Sequence, residues 1–116
     1  MNKEFEPYLA LIEDEIRNSL PQAANEKWQE LVFGELYPSV KAEHIQPLLT
    51  PTRSLVDLGG KRWRPLLLVL TALACSKESS EDALKSACRL APLVEFTHTA
   101  SLIHDDIEDG DRKSVV

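Results

Sequence analysis

The chain has 116 residues, of which 43% are hydrophobic and 28% charged, a composition typical of globular proteins and of one domain at most. Its formal net charge of -6 argues against nucleic acid as a partner, because affinity for a phosphate backbone comes from excess Lys and Arg. No apolar run approaches the roughly 18 residues of a membrane span, and the first residues do not read as a signal peptide.

The first half of the chain is predicted to be helical. An amphipathic helix ends before Pro21, with apolar residues three or four apart: Phe5, Leu9, Ile12, Ile16 and Leu20. A second helix is predicted over residues 26–37, with four residues facing inward: Trp28, Leu31, Val32 and Leu36. Residues 40–58 contain Pro47 and Pro51, which favours a short helix followed by a connection.

The second half is predicted to be helical as well. Residues 65–76 form an almost wholly apolar helix that starts at a proline, and we expect burial on all its sides. Ser79 and Asp82 have the spacing of a capping box, and the helix they open reaches Pro92, which ends or kinks it. A further helix covers residues 93–109. Because no segment alternates as a strand does, the predicted fold class is all-α.

Two cysteines, Cys75 and Cys88, fall within these apolar helical stretches. Their separation is not that of a zinc site. We therefore expect both to be reduced thiols in the core of a cytoplasmic protein.

Four carboxylates lie within residues 105–109, directly after an apolar run. In a helix, Asp105 and Asp109 are one turn apart on the same face, where like charges are destabilising and invite a counter-charge. Clustered carboxylate oxygens suit Mg²⁺, which proteins usually hold by one or two carboxylates with waters and substrate phosphates. The alternative is a solvated acidic helix end, since charge runs are commonly exposed.

A basic segment, GGKRWRP, occupies residues 59–65. Proline is favoured in the first helical turn, so Pro65 marks a helix start, with Lys61 and Arg64 in the loop leading into it. Free amides at a helix start, fronted by Lys and Arg, suit a diphosphate. The segment is not a Walker motif, because Arg62 follows Lys61 where Ser or Thr is required. Taken alone, it is equally consistent with a basic surface loop.

Three segments carry a resemblance to a known family: GGKRWRP at residues 59–65, EFTH at residues 95–98 and LIHDDIED at residues 102–109. Together they resemble the N-terminal third of the trans-polyprenyl diphosphate synthases, the prenyltransferases that elongate isoprenoid chains. The resemblance implies an all-α helical bundle of the isoprenoid synthase type. Residues 1–116 would then be its N-terminal helices, the N-terminal part of a single domain.

The resemblance also implies roles for individual residues. Lys61, Arg64 and His98 would hold isopentenyl diphosphate. Asp105 and Asp109 would be the first and last aspartates of the first aspartate-rich motif, and would hold Mg²⁺ against the diphosphate of an allylic partner. No side chain is implied to act as a nucleophile.

The implied activity is a Mg²⁺-dependent, head-to-tail condensation of isopentenyl diphosphate with an allylic prenyl diphosphate, in a homodimeric enzyme without a transmembrane segment. In the family, the positions four and five residues before the first aspartate line the floor beneath the growing chain. Here these are Ser101 and Ala100. Both are small, so we expect products longer than C15.

The acidic segment has two other interpretations. An EF-hand loop starting at Asp105 is excluded, because Ile107 and Val116 stand at ligand positions. A zinc site of His98, His104 and Asp105 is geometrically awkward, because the two histidines point to opposite sides of one helix. His104 is interpreted as a structural residue. His98, on the Asp105 face, keeps the diphosphate role.

The chain also departs from the family pattern. The family continues past the aspartates into paired arginines followed by glycine, whereas residues 110–116 read GDRKSVV. Arg112 and Lys113 fall earlier than that pair, so their role stays open. A second aspartate-rich motif does not occur in these residues. The sequence is therefore expected to be the N-terminal piece of an enzyme; the alternatives are a non-catalytic helical subunit or a truncated fragment.

Overall fold

The computed structural model describes residues 3–58, 60–77 and 80–110. Within this part of the chain all regular structure is helical, which confirms the predicted all-α class. A short 3-10 turn at Lys3–Phe5 precedes five α-helices: α1 (Glu6–Ser19), α2 (Glu26–Phe33), α3 (Ala42–Leu58), α4 (Trp63–Cys75) and α5 (Ser80–Asp109). Helix α4 packs along α5, α1 lies against both, and α3 contacts α5.

The main core lies where α1, α4 and α5 meet. Helix α1 confirms the first prediction: it ends at Ser19, and Ile12 and Ile16 are fully buried one turn apart. Small residues on α5 allow the other two helices to approach closely. The remaining core members come from α3, α4 and α5: Val56, Leu66, Val69, Ala87, Cys88 and Ala91. Burial of each larger side chain stabilises the fold by roughly 1.5–3 kcal/mol.

Helix α2 is shorter than predicted. It begins after Asn25, whose side chain accepts a hydrogen bond from the backbone N–H of Trp28 at 2.8 Å, and it ends at Phe33, before Gly34, whose φ of 73° suits glycine. Trp28 is buried as predicted. This two-turn helix buries only the side that carries Trp28. Leu31 lies outside that side and is 80% exposed, so the prediction that Leu31 and Val32 face inward is wrong.

Residues 42–58 form one helix, α3, so the predicted short helix and connection is wrong. Pro47 and Pro51 lie one turn apart on the exposed side, where each removes a hydrogen bond but no core contact. Burial of the opposite side offsets those lost bonds. It carries four buried residues: Ile45, Leu49, Arg53 and Val56.

Helix α4 begins at Trp63, and Pro65 lies in its first turn, which confirms the predicted helix start. Lys61 lies in the preceding loop as predicted, but Arg64 is already helical. The prediction that α4 is buried on all sides is wrong. One side packs against α1 and α5, while Leu67 on the other is 57% exposed.

Helix α5 runs from Ser80 to Asp109 as one helix, so Pro92, which was expected to end or kink a helix, does not end it. Pro92 itself is buried, and packing of the small residues around it against α1 and α4 holds the helix together across the lost hydrogen bond. Ser79, half of the predicted capping box, lies outside the described residues.

The two cysteines differ. Cys88 is buried in the core as predicted, whereas Cys75 at the end of α4 is exposed, so that half of the prediction is wrong. Both are free thiols. Among the described helices, none is long and apolar enough to cross a membrane.

Candidate functional site

A cleft of about 440 Å³ opens between the end of α3, the start of α4 and the second half of α5. Lys61, Arg64 and His98, predicted together from the family resemblance, all line it. The loop, the first turn of α4 and α5 each contribute one of these side chains. The wall from α5 consists of residues three or four apart along the helix: Glu95, His98, Thr99, Leu102, Ile103 and Asp106.

Arg64 is held by two contacts within the cleft. Its guanidinium nitrogen lies 3.0 Å from Nε2 of His98. Because arginine offers only donors, this is a hydrogen bond when His98 is neutral with its proton on Nδ1. The guanidinium also stacks over the Trp63 ring, 4.3 Å from its centroid. The two contacts orient the Arg64 charge within the cleft.

Arg62 also lines the cleft, but it is only 7% exposed and its guanidinium is bonded in the interior. Its Nε donates to Glu13 at 2.6 Å, and its two terminal nitrogens donate to Glu95 at 3.2 Å and to the Val56 carbonyl oxygen at 2.9 Å. Burial alone lowers the pKa of this guanidinium, but hydrogen bonds and charge from Glu13 and Glu95 more than offset it, and the pKa lies above its ordinary value.

The sequence interpretation assigned no role to this buried network. A signal for it exists in the helical periodicity. Glu95 follows Ala91 by four residues and so continues the apolar stripe of α5, where an acidic residue requires a buried partner. The partner is Arg62, which lies inside the basic segment already recognised as a candidate site.

The acidic residues lie in the last turns of α5. Asp105 and Asp109 are both exposed, and Asp106 rather than Asp105 lines the cleft. Helical spacing places Asp109 one turn beyond Asp106, so it extends the cleft wall. Within the described residues, no group of three or more His, Cys, Asp or Glu side chains is arranged to hold a metal. Mg²⁺ does not require three such side chains, because it is usually held by one or two carboxylates and takes its remaining ligands from water and phosphate.

Three further predicted residues do not line the cleft. Ala100, Ser101 and His104 are exposed, and helical spacing puts them on the side of α5 away from the cleft wall. The Ser101 hydroxyl donates to the His98 carbonyl oxygen at 2.7 Å. The role of Ala100 and Ser101 in product length stays a prediction. Arg112 and Lys113 lie outside the described residues.

The fold and the cleft define an all-α protein with a basic cleft beside an acidic helix end. The sequence profile of the polyprenyl synthetase family matches residues 45–113, which include every residue that lines this cleft. The chain belongs to the polyprenyl synthetase family.

Curated relatives agree with this membership. The chain is 42% identical over 62 residues to an all-trans-nonaprenyl-diphosphate synthase (geranyl-diphosphate specific) of Rhodobacter capsulatus, over 53% of the chain and 18% of the relative. It is 37% identical over 103 residues to a geranylgeranyl diphosphate synthase of Methanosarcina mazei, over 89% of the chain and 28% of the relative. An octaprenyl diphosphate synthase of Escherichia coli is 44% identical over 55 residues, 47% of the chain and 16% of the relative.

The chain thus spans less than a third of each of these relatives. No solved structure matches it.

Proposed function

We propose that the chain is the N-terminal part of a polyprenyl diphosphate synthase, which joins isopentenyl diphosphate head-to-tail to an allylic prenyl diphosphate. One observation carries the proposal. Lys61 and Arg64 from one basic segment and His98, 34 residues after Arg64, line a single cleft, with Arg64 and His98 in direct contact at 3.0 Å. Family membership and the names of the curated relatives support the same reaction class.

The cleft offers a diphosphate two positive charges and, from a third direction, an imidazole. Lys61 provides a mobile ammonium from the loop, Arg64 a planar fork of donors and His98 a ring nitrogen from the opposite wall. The first helical hydrogen bond of α4 runs from the Leu66 N–H to the Arg62 carbonyl oxygen. The backbone N–H groups of Trp63 and Arg64 precede that bond, so they add partial positive charge at this helix end.

In the proposed reaction the allylic C–O bond breaks and its electron pair leaves with the diphosphate. The double bond of isopentenyl diphosphate then forms the new C–C bond. A proton is lost from the adjacent carbon, and the departed diphosphate is the expected base. The contribution of Lys61, Arg64 and His98 is to hold isopentenyl diphosphate with its double bond close to the allylic carbon. Mg²⁺ bound by Asp105 and Asp109 would neutralise the allylic diphosphate as a leaving group.

Two finer features belong to the same proposal. Small side chains at Ala100 and Ser101 favour products longer than C15, as the family resemblance implies. Homodimerisation rests on that resemblance alone.

The test is turnover of labelled isopentenyl diphosphate with an allylic primer and Mg²⁺ by the full-length protein. The double change Asp105→Asn and Asp109→Asn removes ligand charge at constant size, and we expect it to abolish turnover with little loss of helix by circular dichroism. Glu108→Gln is the matched control, because it removes an exposed charge from the same turn, and it should retain activity. Near-normal Mg²⁺-dependent turnover in the double variant would contradict the metal assignment. Absence of turnover in the unmodified protein would favour a non-catalytic subunit.

A further inference from the structure

Arg62 combines two costly features. Among the described residues it is the only non-glycine residue with a positive φ, 56°. This left-handed conformation costs a non-glycine residue about 1–2 kcal/mol. Its guanidinium is also buried, which is expensive for a charge without partners. Such a combination persists only where the surrounding structure enforces it.

The enforcing contacts come from three helices. Arg62 binds Glu13 of α1, the Val56 carbonyl oxygen in the last turn of α3, and Glu95 of α5. Each of its three guanidinium nitrogens has one of these partners. The loop before α4 is therefore fixed to three elements through one side chain.

The left-handed turn also separates neighbouring cations. Lys61, immediately before Arg62, is exposed and lines the cleft, and Arg64, two residues later, contacts His98 there. Arg62 between them directs its guanidinium to the interior. Anchoring this one residue thus sets the direction from which both flanking cations enter the cleft.

Charge provides a second link to the cleft. Glu95 lines the cleft one turn before His98 and is buried, so its carboxylate lies close to the wall that would face a diphosphate. The ion pair with Arg62 at 3.2 Å offsets that negative charge. Without Arg62, the same wall would present an uncompensated carboxylate to an anion.

We infer that Arg62 is a positioning residue for isopentenyl diphosphate: through Glu13, Val56 and Glu95 it fixes the loop that presents Lys61 and Arg64, and it offsets the negative charge of Glu95 at the cleft wall. The inference rests on the proposed function. It assigns to Arg62 no contact with the substrate itself.

The test compares Arg62→Lys with a matched control, Arg53→Lys, in the full-length protein. Arg53 is also buried, 5% exposed, with an ion pair to Asp57 at 2.6 Å and a bond to the Leu20 carbonyl oxygen at 3.0 Å, but it does not line the cleft. Arg62→Lys should raise the KM for isopentenyl diphosphate about tenfold or more and change the allylic KM less than about threefold. Arg53→Lys should lower the Tm and leave both KM values within about twofold.

Two more variants distinguish the contribution of the backbone conformation from that of the guanidinium contacts. Arg62→Gly relieves the strain of the positive φ but removes all three guanidinium hydrogen bonds. Its KM for isopentenyl diphosphate should therefore rise at least as far as in Arg62→Lys. Glu13→Gln, a mild change outside the cleft, keeps a hydrogen-bond acceptor and removes one charge, and should raise that KM about threefold or more. A normal KM in Arg62→Gly would overturn the inference, because the turn alone would then suffice.

Hydrogen exchange without substrate provides a readout independent of turnover. Backbone amides of residues 60–64 and of Leu66 should exchange about tenfold faster in Arg62→Lys and in Glu13→Gln than in the unmodified protein, and at the unmodified rate in Arg53→Lys. Unchanged exchange, or equal rises of both KM values, would overturn the inference while leaving the proposed function intact. An unmodified protein that does not turn over isopentenyl diphosphate would instead overturn the proposed function.

Discussion

Removing the Arg64 guanidinium is the most direct test of the cleft. Arg64→Ala deletes the donor to His98 and the stack on Trp63, and alanine is a strong helix former in the first turn of α4. Arg64 is only half-buried and is not part of the main core, so we expect the fold to survive. Arg64→Ala should therefore weaken ligand binding without unfolding the protein.

The size of the effect follows from the contacts. A hydrogen bond to a charged group contributes about 1.5–3 kcal/mol, which corresponds to roughly a 10- to 150-fold rise in the KM for isopentenyl diphosphate. The guanidinium is already oriented by His98 and Trp63 before any ligand binds, so little rotamer freedom is lost on binding. We therefore expect a value in the upper half of that range. Arg64→Lys, which keeps the charge but not the planar fork, should recover part of the loss.

Initial rates measured against each substrate, with the other saturating, distinguish the two diphosphate sites. Arg64→Ala and Lys61→Ala should raise the KM for isopentenyl diphosphate far more than the KM for the allylic substrate. Equal rises of the two KM values would contradict the assignment of Lys61 and Arg64 to the isopentenyl diphosphate site.

Three further outcomes are expected. Ala100→Tyr should shorten the products, as chromatography of the extracted chains would reveal, and an unmodified enzyme that stops at C15 or an unchanged length distribution would refute the assigned pocket floor. Cys75 should react with a thiol reagent much faster than Cys88, because burial raises the pKa of the Cys88 thiol and hides it, and Cys75→Ser should remove the fast phase. Ile16→Ala should lower the free energy of unfolding by about 2–5 kcal/mol in urea titrations, and a loss below about 1 kcal/mol would contradict its place in the core.

Periodicity predicted the helices well where one face packs and the other meets solvent. The spacing of Ile12 and Ile16 placed α1, and Pro65 marked the start of α4. Proline misled at Pro47 and Pro51, where a connection was expected, and the helix also continues through Pro92, where an end or a kink was expected. A lost hydrogen bond is a local cost, whereas the packing that offsets it comes from other helices and is invisible to a local pattern.

In the candidate site, too, local sequence patterns predicted some residues, while contacts between distant segments could not be predicted. Its basic residues were recognised because Lys61 and Arg64 sit in a segment with a specific order of residue types. Arg62 belongs to that same segment, yet nothing local separates a cation that faces the cleft from one that faces the core. Its partners Glu13 and Glu95 are 49 and 33 residues away, so only the packed helices reveal the network.

The stack of Arg64 on Trp63 couples the fluorescence of this tryptophan to the cleft. The indole is 52% exposed and carries a cation 4.3 Å above its ring, so an anion that binds the guanidinium in place changes the electrostatic surroundings of the chromophore. The chain has one other tryptophan, Trp28, which is buried beside α3 with its Nε1–H bonded to the Ser19 carbonyl oxygen. Emission from Trp63 can therefore follow occupancy of this cleft without a label, without a second substrate and without turnover.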